Sequence, residues 1–462
     1  MRKKLPHNLV LRSKKRTIPI TIVSEEKLPD WLRKLGPFHR KWLSESGFKG
    51  KINSFSLLPD VGGGIQRVVF IGGKNSEVWS WSLLASNLPS ENYHIESSVD
   101  KHTSNDIALG WGLANYEFTK YRKARLNRPK LIWPKRSDKK QIVATLDAIK
   151  IVRDLINTPA EDMGPSELAL FARSIGKNYT ARTRVIVGDS LLKENYPMIH
   201  TVGRASDDKP RLIDMRWGKV GPRVTLVGKG VCFDTGGLDI KSAAGMLRMK
   251  KDMGGAAHVL GLGSMIMSAN LPIRLRILIG AVENAVSGNS YRPLDVLPTR
   301  KGITVENANT DAEGRLVLGD CLAEASREKP DLLIDYATLT GASRVAVGIE
   351  LAALYSNNDQ LAKDIEKHSK ITSDPVWRLP LYQPYRKMLD SNVADLSSAS
   401  EGPFGGGITA ALFLKEFVDD DIPWAHFDIM AWNTSAKPGR PEGGEAQAMR
   451  CVYSLICDRF GF

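Results

Sequence analysis

The chain has 462 residues, 42% of them hydrophobic, with 65 Lys plus Arg against 51 Asp plus Glu and a formal net charge of +14. This length suggests two to four domains, and the hydrophobic share argues against a largely disordered chain. The charge is uneven: residues 1–150 carry 28 basic and 13 acidic side chains, and residues 151–462 carry 37 and 38. A basic amino-terminal part could meet nucleic acid, although a solvated basic surface explains it more simply. Four cysteines without a CxxC spacing argue against a disulfide scaffold and a thiolate metal site, and fit a reduced, cytoplasmic setting. The basic start MRKKLPHNLVLRSKKR has no apolar segment behind it, so no secretory signal is expected. No apolar run is long enough to span a membrane.

In chain order, TIPITIV (17–23) and RVVFI (67–71) predict short strands. The glycines at 62–64 and at Gly72-Gly73 do not make a phosphate loop, because Lys74 is followed by Asn75 and lacks the required spacing. Trp79, Trp81, Leu83 and Leu84 predict the start of a packed helix, and 103–124 a second one. LNRPKLIWPKRSD (126–138), with two prolines and several charges, predicts a linker. Ile142, Leu146, Ile149, Val152 and Ile156 recur at helical spacing, and Pro159 predicts a stop near Asn157. Buried strands are predicted at Val224–Val227, Arg276–Val282 and Leu332–Tyr336, with helical patterns at 244–267, 311–327 and 407–418 between and after them. The expected fold class is α/β. A basic amino-terminal α/β domain (1–135) precedes a linking helix and connection (136–165). A larger α/β domain (166–462) follows, its central mixed sheet covered by helices.

Chemistry-bearing residues concentrate in LVGKGVCFDTGGLDIKSAAGM (226–246), RMKKDMGGAAHVLG (248–261) and NANTDAEGRLVLGDCL (307–322). Lys229 and Asp234 follow a predicted buried strand among glycines, which let backbone approach a ligand. Open α/β sheets bind ligands at such carboxyl ends. Asp311, Glu313 and Arg315 alternate, so an extended stretch would project all three to one side. With Asp252, four carboxylates would converge and repel unless a cation compensates. Oxygen ligands suit one or two divalent ions, and Lys229 could join them as a neutral amine. For each segment alone, Asp311 as a helix cap, an Arg315–Glu313 pair or an ordinary glycine turn would serve. The three in this order favour a site. No HExxH or GxSxG occurs, His258 and His426 suit structural roles, and Cys232 and Cys321 suit burial.

These segments resemble the leucyl aminopeptidase, or cytosol aminopeptidase, family. NTDAEGRLVL (309–318) is its specific signature. NTPAEDMGPSELA, VGKGVCFDTGG, the IK at 240–241, MKKDMGGAA, DYATLTGA, VADL, GGITAALFL and HFDI also match, across roughly 140–430. The resemblance implies a two-metal aminopeptidase, with manganese or zinc, that releases leucine-like amino-terminal residues from peptides. It assigns Lys229, Asp234, Asp252 and Glu313 to a tightly held metal and Asp234, Asp311 and Glu313 to a looser one. Lys241 matches the catalytic lysine, and Arg315 the arginine that holds a bicarbonate general base. Met249, Thr338 and Gly341 match positions lining the pocket for the first substrate side chain. A homohexamer in the cytoplasm is also implied. The ending MAWNTSAKPGRPEGGEAQAMR departs from the better-known members. Two other functions compete: a phosphoesterase built on the same metals, and DNA binding through the basic amino-terminal domain.

Overall fold

A computed structural model of the chain describes residues 7–72, 77–124 and 127–462. They form two compact units: the chain up to Asp147 together with Ser435–Glu442, and Ala148–Thr434 together with Gly443–Phe462. Both combine sheets with helices, the mixed α/β architecture expected. Among the described residues, no helix is long and apolar enough to cross a membrane. Gly73 and Lys74, considered above for a phosphate loop, lie outside the described residues.

The first unit holds a six-stranded sheet, in the order Leu9–Val10, Lys130–Ile132, Asn92–Ile95, Ile18–Val23, Ile65–Ile71, Phe55–Pro59. All neighbours are parallel except the last pair. The expected strands at 17–23 and 67–71 are therefore present. The expected linker instead contributes a strand. Its two prolines, Pro129 and Pro134, flank Lys130–Ile132 rather than interrupt it, and Leu131 is fully buried. The helix expected over 103–124 is Lys101–Ala114, capped by the Asp100 side chain at its start. Asn115 ends it: its amide Nδ2 takes the Trp111 carbonyl, the local competition that makes Asn a poor helix-interior residue.

The second unit is built on an eight-stranded mixed sheet. Its order is Val376–Arg378, Ala352–Ser356, Trp424–Asp428, Leu332–Ala337, Arg223–Asp234, Arg274–Asn284, Arg211–Trp217, Arg182–Val187. The four strands from Trp424–Asp428 to Arg274–Asn284 run parallel. They are apolar on both faces because helices cover both. Gly254–Ala269 packs where Gly228 has no side chain: a Cβ there would stand 2.8 Å from the Ala256 Cα. Glu313–Ser326 packs on the opposite face, where a Cβ on Gly280 would stand 2.3 Å from Val317.

Two expected helices start differently. The pattern over 244–267 divides into Ala243–Met246, a tight turn Met249–Met253 and the helix Gly254–Ala269. Ser242 caps the first piece through the Gly245 amide, and Asp252 falls in the turn. The helix expected from 311 begins at Glu313. Glu313 and Arg315 are therefore helical, not extended, and only Asp311 lies before the helix. The last pattern, at 407–418, is the helix Gly406–Lys415.

Candidate metal centre

The central strand Arg223–Asp234 runs six residues past Gly228, its last residue in register with the neighbouring strand Leu332–Ala337. Lys229 and Asp234 therefore project from backbone that outreaches the sheet on that side. Asp252 arrives from the turn before one helix, and Glu313 is the first residue of another. Carboxylate oxygens of Asp234, Asp252 and Glu313 all lie within 4.8 Å of one another, and all three residues are buried.

Two lysines sit between pairs of carboxylates. Lys229 Nζ is 2.6 Å from Asp252 Oδ2 and 2.9 Å from Glu313 Oε1, and it donates to the Thr338 carbonyl at 3.1 Å. Lys241 Nζ is 2.8 Å from Asp234 Oδ2 and also pairs with Asp311 Oδ1. Gly314 permits the Lys229 approach, since a Cβ there would stand 2.5 Å from Lys229 Cε. Asp311, the least buried of the four acids, does not cap the following helix. Ala312 holds the cap position, and Asp311 turns to Lys241.

The electrostatics follow from this crowding. Burial and the neighbouring Asp234 charge push the Glu313 carboxyl up to about 8. Burial and Asp234 also raise Asp311, against the pull of Lys241. Burial opposes ionisation of Asp252, but Lys229 and Lys251 outweigh it and hold the carboxyl below its usual range. Burial lowers the Lys229 pKa, yet Asp252, Glu313 and Asp234 outweigh it and hold the ammonium above the ordinary lysine range. Lys241 is held high in the same way, chiefly by Asp234 against its burial.

A divalent cation fits this cluster. Glu313 Oε1 and Oε2 and Asp252 Oδ2 are buried without a directed hydrogen bond from the described residues, and Glu313 Oε2 lacks even an ion-pair contact. Such oxygens are costly unless a cation satisfies them.

The other expected residues spread around this cluster. Arg315 is buried in the helix that Glu313 opens. Its Nη1 donates to the Ser398 carbonyl at 2.8 Å, while its Nε has no partner among the described residues. Burial lowers its guanidinium to about 10. Thr338 is buried, and its hydroxyl donates to Asp252 Oδ1 at 2.9 Å. Met249 is half-buried at the start of the Asp252 turn. Gly341 is exposed at the start of the helix Gly341–Val347, three residues after Thr338.

His258 and His426 are occupied elsewhere. His258 Nε2 accepts from the Gln447 amide, and its Nδ1 meets the Gly254 carbonyl. His426 pairs with buried Asp335 at 2.6 Å. Burial pushes the Cys232 and Cys321 thiols far up, so neither is a ready nucleophile.

Sequence reading missed two residues. Asn284 ends the strand Arg274–Asn284 and donates to Asp234 Oδ1 at 2.9 Å, fixing that carboxylate. The polar pair Glu283-Asn284 closing an apolar strand was the available signal. Lys251 is buried with no hydrogen-bond partner for Nζ among the described residues, and burial lowers it to about 8. The second of two adjacent lysines, Lys250 and Lys251, gave no hint that it points inward.

Comparison with known proteins places this geometry. Residues 150–453 match the cytosol aminopeptidase family catalytic domain, and residues 18–134 match the M17 aminopeptidase N-terminal domain. A probable cytosol aminopeptidase from Chlamydia abortus is 38% identical over 78% of this chain and 75% of its own length. The crystal structure of a cytosol aminopeptidase from Coxiella burnetii is 48% identical, with a TM-score of 0.93 over 98% of this chain and 99% of its own. A bottromycin maturation enzyme, solved in complex with manganese, is 29% identical with a TM-score of 0.85 over 96% of this chain and 100% of its own. The chain belongs to the cytosol aminopeptidase family, and it is a metal-dependent aminopeptidase, a hydrolase.

Proposed function

We propose that the chain releases leucine-like amino-terminal residues from peptides with two divalent ions per chain, manganese or zinc. The observation that carries this reading is the buried cluster of Asp234, Asp252 and Glu313 with its unsatisfied oxygens. Lys229, Asp234, Asp252 and Glu313 would hold one ion, and Asp234, Asp311 and Glu313 the other. The manganese in the bottromycin maturation enzyme supports the choice of metal. When bound, two such ions neutralise the carboxylates, polarise a carbonyl and lower the pKa of a water.

The chain's own groups have distinct tasks. Lys241, set beside Asp234 and Asp311, would release them to the ions and aim its ammonium at the oxyanion that develops on the substrate. Arg315, whose Nε has no partner among the described residues, would hold the bicarbonate that serves as general base. Asn284 fixes Asp234, and Thr338 fixes Asp252, so both carboxylates are oriented in advance. Met249, Thr338 and Gly341 would line the pocket for the first side chain. The proposed domains are 1–135, the connection 136–165 and the catalytic part 166–462. The proposed assembly is a homohexamer, working in the cytoplasm.

The test is hydrolysis of leucine p-nitroanilide by manganese-loaded protein, with a panel of other aminoacyl anilides for preference. Asp311→Ala is expected to lower kcat/KM more than about 100-fold. Full activity in that variant would overturn the ligand assignment, and hydrolysis of a phosphate ester but no anilide would favour a phosphoesterase.

A second reading, DNA binding, is favoured by one observation: residues 1–150 carry 28 basic against 13 acidic side chains. A gel shift that weakens steeply with salt would support it, and no shift at low salt would end it.

A further inference from the structure

The second unit carries another charged cluster at the opposite end of its sheet. Arg216, Arg223, Arg274 and Arg276 come from three adjacent strands. The register sets Arg276 opposite Arg216 and Arg274 opposite Arg223. Arg274 and Arg276 are two residues apart, so their side chains leave the same face. Like charges directly opposite each other destabilise a sheet. Arg327 and Lys329, just past the helix Glu313–Ser326, complete a ring of six cations around a pocket of about 560 Å³.

Carboxylates answer only part of this charge. Arg276 is held by Asp214 at 2.7 Å, Glu324 at 2.7 Å and Glu328 at 3.2 Å. Arg216 pairs with Glu328 at 2.7 Å, Arg327 reaches Glu324 at 3.8 Å, and Lys329 reaches Asp421 at 3.4 Å. Arg223 and Arg274 have no such partner among the described residues. Arg223 Nη1 donates to the Glu328 carbonyl and Arg274 Nε to the Gly221 carbonyl, each at 2.8 Å. Asp331 accepts from the Arg223 backbone amide rather than from its guanidinium. Within the pocket wall, Arg276 is 4% exposed, and its Nη1 is the group that meets Glu328, so the charge left unanswered is that of Arg223 and Arg274.

We propose that this pocket binds a diphosphate group, anchored by Arg223 and Arg274. Two adjacent guanidiniums without carboxylates call for a ligand carrying more than one negative charge. Their planar forks match phosphoryl oxygens bidentately. The pocket's volume lies in the range of small-molecule sites, so it admits free pyrophosphate or the diphosphate of a nucleotide. The site is separate from the metal centre: Arg223 opens and Asp234 closes the same strand, roughly 35 Å apart along it.

The test is titration of the metal-loaded protein with inorganic pyrophosphate, by calorimetry, and with a fluorescent nucleoside diphosphate, by anisotropy. Wild type, Arg223→Gln, Arg274→Gln and the double variant are compared. Both arginines are exposed, so the fold should survive, and retained leucine p-nitroanilide hydrolysis without ligand checks this in each variant. One saturable site per chain is expected, weakened at least about tenfold in the double variant and measurably in each single one. Equal affinity for both probes identifies the free anion as sufficient, and tighter nucleotide binding identifies a nucleotide as the ligand. Either outcome supports the proposal. Two results overturn it: no saturable binding at low salt, where screening is weakest, or binding unchanged in the folded variants, which places the anion at the catalytic metals.

Discussion

At the scale of single residues, the centre is a balance between carboxylates and lysines. Without a divalent ion, Lys229 is held as an ammonium by Asp252, Glu313 and Asp234 against its burial, and burial holds Glu313 up at about 8. Both must give up their protons to become ligands. Both groups have raised pKa values, so protons compete with metal more strongly as pH falls. Manganese affinity is therefore expected to rise steadily between about pH 6 and pH 9, with protons released on binding. Calorimetry in buffers of different ionisation enthalpy reads this release directly, and binding without proton release would contradict it. The identities of these residues were legible because the glycine-rich motifs fix them. Their geometry was less so. The alternation of Asp311, Glu313 and Arg315 suggested an extended stretch, but Glu313 opens a helix. The three side chains reach different partners: Lys241, Lys229 and the Ser398 carbonyl.

At the scale of elements, glycines set how closely helices approach the central strand. A Cβ on Gly255 would stand 2.0 Å from the Tyr336 carbonyl oxygen, a backbone atom that cannot step aside. Gly255→Ala is expected to destabilise the protein by about 3 kcal/mol, read as a lower denaturant midpoint at unchanged slope. An unchanged midpoint would mean that the helix Gly254–Ala269 shifts freely. Gly314→Ala meets Lys229 Cε at 2.5 Å, the end of a side chain, so its expected effect is displacement of that lysine and loss of activity with smaller loss of stability. Buried strands were readable as apolar runs, and long helices as periodic ones. Breaks in periodicity were harder. The split around Met249–Met253 depends on the Ser242 cap and on glycines that pack without side chains. The strand Lys130–Ile132 was hidden because prolines beside a short strand look like prolines in a linker.

At the scale of the whole molecule, Gly443–Phe462 is tied into the rest of the second unit by a buried ion pair. Arg153 is fully buried, and its guanidinium meets Glu445 at 2.9 Å; Asn433 also donates to that carboxylate. Glu445→Ala removes the carboxylate that faces this buried guanidinium, so it is expected to cost more than about 1 kcal/mol of unfolding free energy. A smaller loss would show that this ion pair does not hold the segment in place. This pairing spans 292 residues, which no local pattern announces. The ring of arginines was equally silent, because only strand register brings Arg223 beside Arg274. Light scattering near six chains per particle is expected for the proposed hexamer, and a stable monomer at micromolar concentration would contradict it.

In the proposed function, buried carboxylates around Lys229 hold two divalent ions that hydrolysis requires. The most direct measurement is manganese bound per chain after equilibrium dialysis, with leucine p-nitroanilide hydrolysis read on the same samples, for wild type and Glu313→Gln. Two ions and activity are expected in wild type, and loss of at least one ion together with activity in the variant. Undiminished hydrolysis by wild type stripped of metal, or a fully active Glu313→Gln that keeps both ions, would contradict it.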